Sequence, residues 1–343
     1  MDQQYFREKR DWESLKKILN DNNSFVFSTH LEPDADGIGS ELGLARYLES
    51  KGKSVQILNP SKMRVNLEFL TERDEIQVFD PALHKDIISS VDVFIAFDIG
   101  HYSRLSDIGP AFGESSAIKI SIDHHPGDKT QFDYRYDFPS ASSTGVLIYD
   151  LLSELEAASP NDFRIAKPLY AAIMSDTGNF RFNNTDPETF FAAGNLVAAG
   201  VKPYELYVSI YEDLNTPGRL QVLQHLLREL NYDCDGRLAW SLIDYEELQS
   251  LGATPDDLHS LSDFIRSIKG VEIGVSLIKM SNQPTDVSFR SKGHIPINTV
   301  AYHFNGGGHA FAAGCRIDDS LENAGKAVVE ECRQAIKDWD ANV

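Results

Sequence analysis

Three short apolar runs in the first half of the chain end in ionisable groups, and that pattern restricts the fold more than any other feature of the sequence. Residues 25–29 run into His30, residues 93–97 into Asp98, and residues 118–122 into Asp123, His124 and His125. Runs of this length, rich in Phe, Val and Ile, suit strands buried on both faces, as in a parallel sheet. A charge at the end of a buried strand is costly unless a partner or a metal ion neutralises it. The carboxyl ends of an open parallel sheet are also where such folds bind ligands. A fourth apolar stretch, residues 171–174, leads to Asp176 and then Thr177-Gly178, as if a helix closed by turning a carboxylate inward.

Helical periodicity fills the intervals between these runs. Trp12, Leu15, Ile18 and Leu19 share one helical face. Residues 40–50 read as a helix closed by Gly52, and further helices are expected over 143–158, 163–175 and 187–200. With additional strands at 55–58 and 76–79, the alternation predicts an α/β domain over residues 1–200, a mostly parallel sheet with helices on both faces. The stretch 201–213 and Thr216-Pro217-Gly218 break the pattern, so residues 201–230 read as a linker and connecting helix. A smaller α/β domain is expected over 231–343, with strands at 238–243, 271–279 and 286–290. Its helices start at Thr254-Pro255-Asp256-Asp257, cover 297–304 up to Gly306-Gly307-Gly308, and close the chain at 321–339. A length of 343 residues exceeds what one core ordinarily fills, in agreement with two domains.

Charge narrows the partners. Fifty-two acidic against 32 basic residues give a formal charge of -20, and no Lys/Arg run occurs. A long duplex would meet repulsion instead of a basic track. Small anions remain accessible, because screening over about 8 to 10 Å lets local cations and metal ions outweigh the distant field. No run of about 18 apolar residues exists, so no membrane partner is expected. The charged N-terminus lacks a secretory pattern, and Cys234, Cys315 and Cys332 are odd in number without a CxxC pair. The expectation is a cytoplasmic protein with reduced, structural thiols.

The segment Ser28-Thr29-His30-Leu31-Glu32-Pro33-Asp34-Ala35-Asp36-Gly37 lies just past the first strand. Alone, it also fits a solvated loop with a helix cap at Asp36. Joined to Asp98, to Asp123-His124-His125 and to Asp176, it points to a dinuclear metal centre. Imidazole and carboxylate donors without thiolate suit manganese, iron or zinc, and manganese is the expected metal. Asp34, Asp36, Asp98 and Asp176 carry four negative charges, which two divalent ions balance.

These residues resemble the DHH phosphoesterase superfamily, named for its Asp-His-His triplet. The resemblance covers HxxPDxDGxGS from His30 to Ser40, Asp98, the triplet at 123–125, and DTGxF from Asp176 to Phe180, in the family's order. Ser288-Phe289-Arg290-Ser291-Lys292 and Gly306-Gly307-Gly308-His309 resemble the associated DHHA1 domain. The two-domain nanoRNase and pAp-phosphatase branch is the nearest match. The resemblance implies that His30, Asp34 and Asp98 hold one ion, and Asp36, Asp98, His124 and Asp176 the other, with Asp98 as bridge. It also implies that Asp123 orients a ligand histidine and that His125 faces the scissile phosphate. Arg290, Gly307, Gly308 and His309 would bind substrate, with the active site in the cleft between the domains.

On chemistry alone, the glycine triplet is either a phosphate cradle or a tight turn, and Arg290 either a bidentate phosphate contact or a surface charge. Phe180 and Phe182 would stack on a base or belong to the core. The expected function is hydrolysis of short RNA or DNA oligonucleotides and dinucleotides to mononucleotides by water activated between two metal ions, with 3'-phosphoadenosine 5'-phosphate (pAp) as a second substrate. The missing basic track argues against a processive exonuclease of the RecJ type. A phosphodiesterase for linear or cyclic dinucleotide signals, an inorganic pyrophosphatase and a catalytically silent nucleotide sensor are the alternatives. Gly306-Gly307-Gly308-His309 weighs against the second, and the complete set of metal-capable residues against the third. No recruitment motif names a protein partner.

Overall fold

In the computed structural model, residues 9–72, 75–127, 130–156, 160–212 and 215–342 are described. The chain divides into two units, Met1–Glu212 and Asp213–Val343. In the first, strands β1 (Ser24–Ser28), β2 (Ser54–Asn59), β3 (Ile76–Val78), β4 (Val93–Phe97), β5 (Ile118–Asp123) and β6 (Tyr134–Asp137) form one sheet. Their order is β3-β2-β1-β4-β5-β6, and every pairing is parallel. The chain winds outward from β1 through β2 and β3, then resumes on the other side of β1 with β4. The topological switch point therefore lies between β1 and β4, where His30 and Asp98 emerge.

The helices of this unit are α1 (Glu13–Asp21), α2 (Ala35–Ser50), α3 (Pro81–Ser90), α4 (Ile108–Gly113), α5 (Thr144–Glu156), α6 (Phe163–Asp176), α7 (Pro187–Ala198) and α8 (Pro203–Tyr207). Side chains alternate across the strands as the pleat requires. Phe25, Phe27, Ile95 and Phe97 join the core shared with α1, α2, α5, α6 and α7. Val26, Phe94 and Ala96 join Ile88, Ile108 and Phe112 on the α3 and α4 side. Glycine sets one of these contacts: a Cβ at Gly39 of α2 would stand 2.3 Å from the Pro168 carbonyl oxygen of α6, so the two helices approach closely there.

Helix α2 starts at Ala35, ahead of the expected Ser40, because the Asp34 carboxylate accepts from the Asp36 and Gly37 N–H groups and caps it there. Strand β6 has no counterpart among the expected strands; its Tyr-Arg-Tyr-Asp sequence is short and half polar, as an edge strand is. The expected linker is also largely helical. Beyond α8 a π-helical turn covers Val208–Glu212, and Leu206 and Ile210 are buried in the core of the first unit. The expected ends at Asp213 and Ala158, and the first eight residues of the N-terminus, lie outside the described residues.

The second unit is built from β7 (Asn231–Asp233), β8 (Leu238–Asp244), β9 (Ile273–Lys279), β10 (Thr285–Ser291), β11 (Gly307–His309) and β12 (Ala312–Ile317), in the order β11-β12-β10-β9-β8-β7. Only β8 and β9 pair in parallel, so the sheet is mixed. Helices α9 (Pro217–Arg228), α10 (Tyr245–Ser250) and α11 (Leu261–Ser267) cover one face, and α12 (Asn298–His303) and α13 (Leu321–Asn342) the other. The segment Thr254-Pro255-Asp256-Asp257 caps a 3-10 turn, Pro255–Leu258, and α11 begins after it. The three cysteines are unbridged. Among the described residues no helix is long and apolar enough to cross a membrane.

Candidate metal centre

The carboxyl ends of β1, β4 and β5 meet the start of α2 and the end of α6. His30 Nε2 lies 3.6 Å from Asp34 Oδ2 and 3.8 Å from Asp98 Oδ2. His124 Nε2 lies 3.4 Å from Asp98 Oδ1, 3.6 Å from Asp36 Oδ2 and 3.5 Å from Asp176 Oδ2. Asp98 thus stands in the middle, one oxygen turned to each histidine. Its backbone is left-handed, with φ of 56°, a conformation that Asp adopts more readily than most residues at a cost of roughly 1–2 kcal/mol. Two bonds fix the turn: Asp98 N–H donates to the Ile122 carbonyl at 3.1 Å, and Thr29 Oγ1 donates to the Phe97 carbonyl at 2.8 Å.

Each converging side chain is oriented from behind. The Thr144 and Gly145 N–H groups, at the start of α5, donate to Asp36 Oδ2 and Oδ1 at 2.7 and 2.8 Å, placing this buried carboxylate at the positive end of a helix. Asp176 is the last residue of α6, and Asn184 Nδ2 donates to its backbone oxygen at 3.1 Å. His124 Nδ1 lies 3.2 Å from the Ala141 carbonyl, and His30 Nδ1 lies 2.8 Å from the Leu31 carbonyl. In both rings Nδ1 therefore has a backbone acceptor and Nε2 is turned to the carboxylates.

The resemblance implies that Asp123 orients a ligand histidine, and the ring it bonds here is that of His125. Asp123 accepts from His125 N–H and Nδ1 at 2.8 and 2.9 Å and from Gly100 N–H at 2.7 Å. The chain bends after β5 ends at Asp123, and the His124 and His125 rings lie 4.5 Å apart between centroids. His125 Nδ1 also lies 3.1 Å from Asp98 Oδ1.

The electrostatics show what the site calls for. Burial, reinforced by Asp98, holds the Asp36 carboxyl well above the usual range and pushes Asp176 up to about 6. Burial disfavours charge on the histidines, yet Asp176 and Asp98 outweigh it at His124, and Asp98 and Asp123 raise His125 to about 9. Without cations, this pocket gathers protons to neutralise its carboxylates. Divalent ions would do the same with the donors present. The separations between His124 Nε2 and its three carboxylate oxygens exceed good N–H···O distances, about 2.9 Å. They approach the separation of about 3.0–3.5 Å between atoms that share one ion through bonds of about 2.0–2.2 Å. The groups His30, Asp34, Asp98 and Asp36, Asp98, His124 could each hold an ion, as could Asp98, Asp123 and His125, and Asp98 belongs to all three.

In the second unit, Arg290 lies on β10, where its Nε donates to Asp263 Oδ2 of α11 at 3.1 Å and its Nη1 to the Phe289 carbonyl at 3.0 Å. Gly307, Gly308 and His309 form the edge strand β11, paired with Gly314, Ala313 and Ala312. A Cβ at Gly306 would lie 2.2 Å from the Gly314 carbonyl oxygen, and one at Gly308, where φ is 133°, 2.5 Å from that of Ala312. Strand packing therefore accounts for two of the three glycines. Gly307 is different, because the nearest atom to its Cβ would be Tyr302 Cε1 at 3.9 Å. Phe180 packs between Tyr170 and Phe190 against the core of the first unit, and the half-buried Phe182 ring lies against Gly178.

Thr144, Gly145 and Arg104 are not among the expected site residues. The first two act through backbone N–H groups; the run Ser142-Ser143-Thr144-Gly145 at a helix start is the available signal. Arg104 arrives from a turn and lies 2.9 Å from His30 through Nη2.

The model of the DHH family, N-terminal domain, matches residues 24–173, and that of the DHHA1 domain matches residues 242–339. The bifunctional oligoribonuclease and PAP phosphatase NrnA of Thermus thermophilus is 29% identical over 336 residues, covering 96% of each chain. The protein of that name from Bacillus subtilis is 29% identical over 309 residues, covering 88% of this chain and 92% of its own. The crystal structure of an exopolyphosphatase-related protein from Bacteroides fragilis matches with a TM-score of 0.86 at 25% identity, covering 95% of both chains. With both domain families matched in order and the Asp-His-His triplet set among converging carboxylates, the chain belongs to the DHH/DHHA1 family of phosphoesterases.

Proposed function

We propose that this phosphoesterase hydrolyses oligonucleotides of a few residues to mononucleotides and also removes a phosphate from pAp. The observation that carries the reading is the convergence of three carboxylates and two imidazoles around Asp98. The names of the relatives supply the substrate class. In this reading His30, Asp34 and Asp98 hold one divalent ion, and Asp36, Asp98, His124 and Asp176 a second. The ions, manganese in this proposal, supply Lewis acidity toward phosphate and a nucleophile drawn from water near neutral pH.

The chain's own residues do the rest. Asp98 is shared, and the helix start at Thr144 and Gly145 holds the Asp36 carboxylate in place. Asp123 fixes His125, whose imidazolium stabilises negative charge on the phosphate or protonates the leaving oxygen. Arg290, Gly307, Gly308 and His309 bind substrate; the open space at Gly307, where the fold does not require glycine, supports a close approach by phosphate. A cytoplasmic setting fits the unbridged thiols.

The test is hydrolysis with manganese of RNAs and DNAs of two to seven nucleotides, a long single strand, pAp, a cyclic dinucleotide and pyrophosphate. Preference for the shortest strands supports the proposal. Turnover of the cyclic dinucleotide or pyrophosphate alone would replace the substrate and keep the centre.

A further inference from the structure

We infer that Arg104 binds a non-scissile phosphate of the substrate, and that it is released to do so when His30 adopts its metal-binding tautomer. This rests on the two-ion reading above. Arg104 lies in the 3-10 turn Tyr102–Leu105 that follows β4, and its carbonyl accepts the Leu31 N–H at 2.8 Å, which ties the turn to the His30 loop. Its Nη2 stands 2.9 Å from His30 Nδ1, and that same nitrogen lies 2.8 Å from the Leu31 carbonyl.

A guanidinium carries donors only, so it can bond to His30 Nδ1 only when Nδ1 holds the lone pair and Nε2 holds the proton. Nε2, however, is the atom turned to Asp34 and Asp98. A metal ion there needs the Nε2 lone pair, which moves the ring proton to Nδ1, where the Leu31 carbonyl accepts it. Arg104 then faces an N–H group, donor against donor, and the guanidinium must leave. The two partners of Nδ1 thus mark two tautomers, and only one of them suits an ion.

No described carboxylate pairs with Arg104, and its side chain is exposed. This is unlike Arg46, Arg164, Arg237, Arg290 and Arg333, each of which sits against an acidic side chain. The released cation stands on the outer edge of the His30 ring, the edge away from Asp34 and Asp98. That places it one ring-width outside the centre, where the neighbouring phosphate of a nucleotide chain suits it better than the phosphate being cleaved. A guanidinium binds such a group through two parallel N–H donors.

The test uses the manganese-loaded full chain with the dinucleotide ApA and its 5'-phosphorylated form pApA. Arg104→Ala should raise KM for pApA about tenfold more than for ApA, with kcat for pApA little changed, and Arg104→Lys should restore part of the difference. In parallel, calorimetric titration of the metal-free protein with manganese chloride should show Arg104→Ala binding as tightly as the parent or several-fold more tightly, since a competitor for Nδ1 is gone. Equal changes in KM for the two dinucleotides, or weaker manganese binding, would overturn the inference. If the parent hydrolyses neither dinucleotide, the proposed function fails. The inference is then decided by direct titration of the loaded protein with pApA and ApA, in which only the parent should prefer the phosphorylated ligand.

Discussion

Replacing Asp123 by Asn keeps the shape of the side chain and removes its charge, so its consequences can be worked out bond by bond. Asp123 is fully buried and accepts from Gly100 N–H, His125 N–H and His125 Nδ1. An amide keeps one acceptor oxygen and presents its NH2 group to the donors on the other side, so at least one backbone N–H is left facing a donor. A buried donor without its acceptor costs about 1–3 kcal/mol. A second cost comes through His125, which burial alone would keep neutral and which Asp98, then Asp123, hold protonated up to about 9. The rise from 6.5 to about 9 is worth about 3 kcal/mol at 1.36 kcal/mol per unit, and loss of Asp123 should remove about 1 kcal/mol of it. The folded-state value is the raised one. This stabilisation is therefore complete below about pH 6.5 and is lost as pH rises through about 9. The variant should be less stable than the parent by about 2–4 kcal/mol at pH 6 and by about 1–3 kcal/mol at pH 10. Urea denaturation of chelator-treated protein measures both, and an NMR titration of the His125 ring should show its midpoint moving down. A deficit below about 0.5 kcal/mol at both pH values, or an unmoved midpoint, would refute the argument.

Asp98→Ala should abolish manganese binding by calorimetry and reduce hydrolysis at least about a thousandfold, since both halves of the centre lose a donor. Near-parental activity would rule out the dinuclear assignment. Gly39→Ala should lower stability by about 1–3 kcal/mol in thermal unfolding, because its Cβ would stand 2.3 Å from the Pro168 carbonyl oxygen and 2.8 Å from Ala172 Cβ. Glu41 is buried on α2 and accepts from Asn59 Nδ2 at 2.9 Å, while burial holds its carboxyl well above the usual range. A raised folded-state value favours the protonated acid, so the parent loses stability as pH rises above the ordinary carboxylate range. Glu41→Gln should therefore gain on the parent between pH 5 and pH 9, and a constant difference across that range would contradict it.

His30, Asp98 and His124 were legible because a buried apolar strand that ends in an ionisable group needs a reason, and strand ends in a parallel sheet converge. Asp176 was legible from the same logic applied to a helix end. What the sequence hides is contact made through the backbone or by chain reversal. Thr144 and Gly145 contribute N–H groups that nearly every residue possesses. Arg104 reaches His30 only through a turn whose carbonyl is tied to Leu31. The Gly306-Gly307-Gly308 triplet reads alike as a phosphate cradle or a tight turn, and the local sequence does not reveal that Gly307 to His309 pair with β12. Asp34 sits in a polar stretch where a cap and a metal ligand look the same, and the start of α2 was misplaced because Asp34, not Asp36, caps the helix. The stretch 201–213 reads as a linker because, with Thr216-Pro217-Gly218, it breaks the pattern. The burial of Leu206 and Ile210 comes from tertiary packing that local propensity cannot report.

The centre draws on side chains from His30 to Asp176, set on the ends of three strands and two helices. A ribosome adding about 5–20 residues per second leaves roughly 7 to 30 s between the emergence of the first donor and the last. During that interval the strands that carry His30 and Asp98 can pair, yet the carboxylate of Asp176 and the helix start that holds Asp36 are still missing. In the two-ion reading, the group that includes Asp176 is therefore complete only after the group of His30, Asp34 and Asp98. An ion that binds only the finished form also holds it closed by mass action, by about 2.7 kcal/mol at a hundredfold excess over Kd.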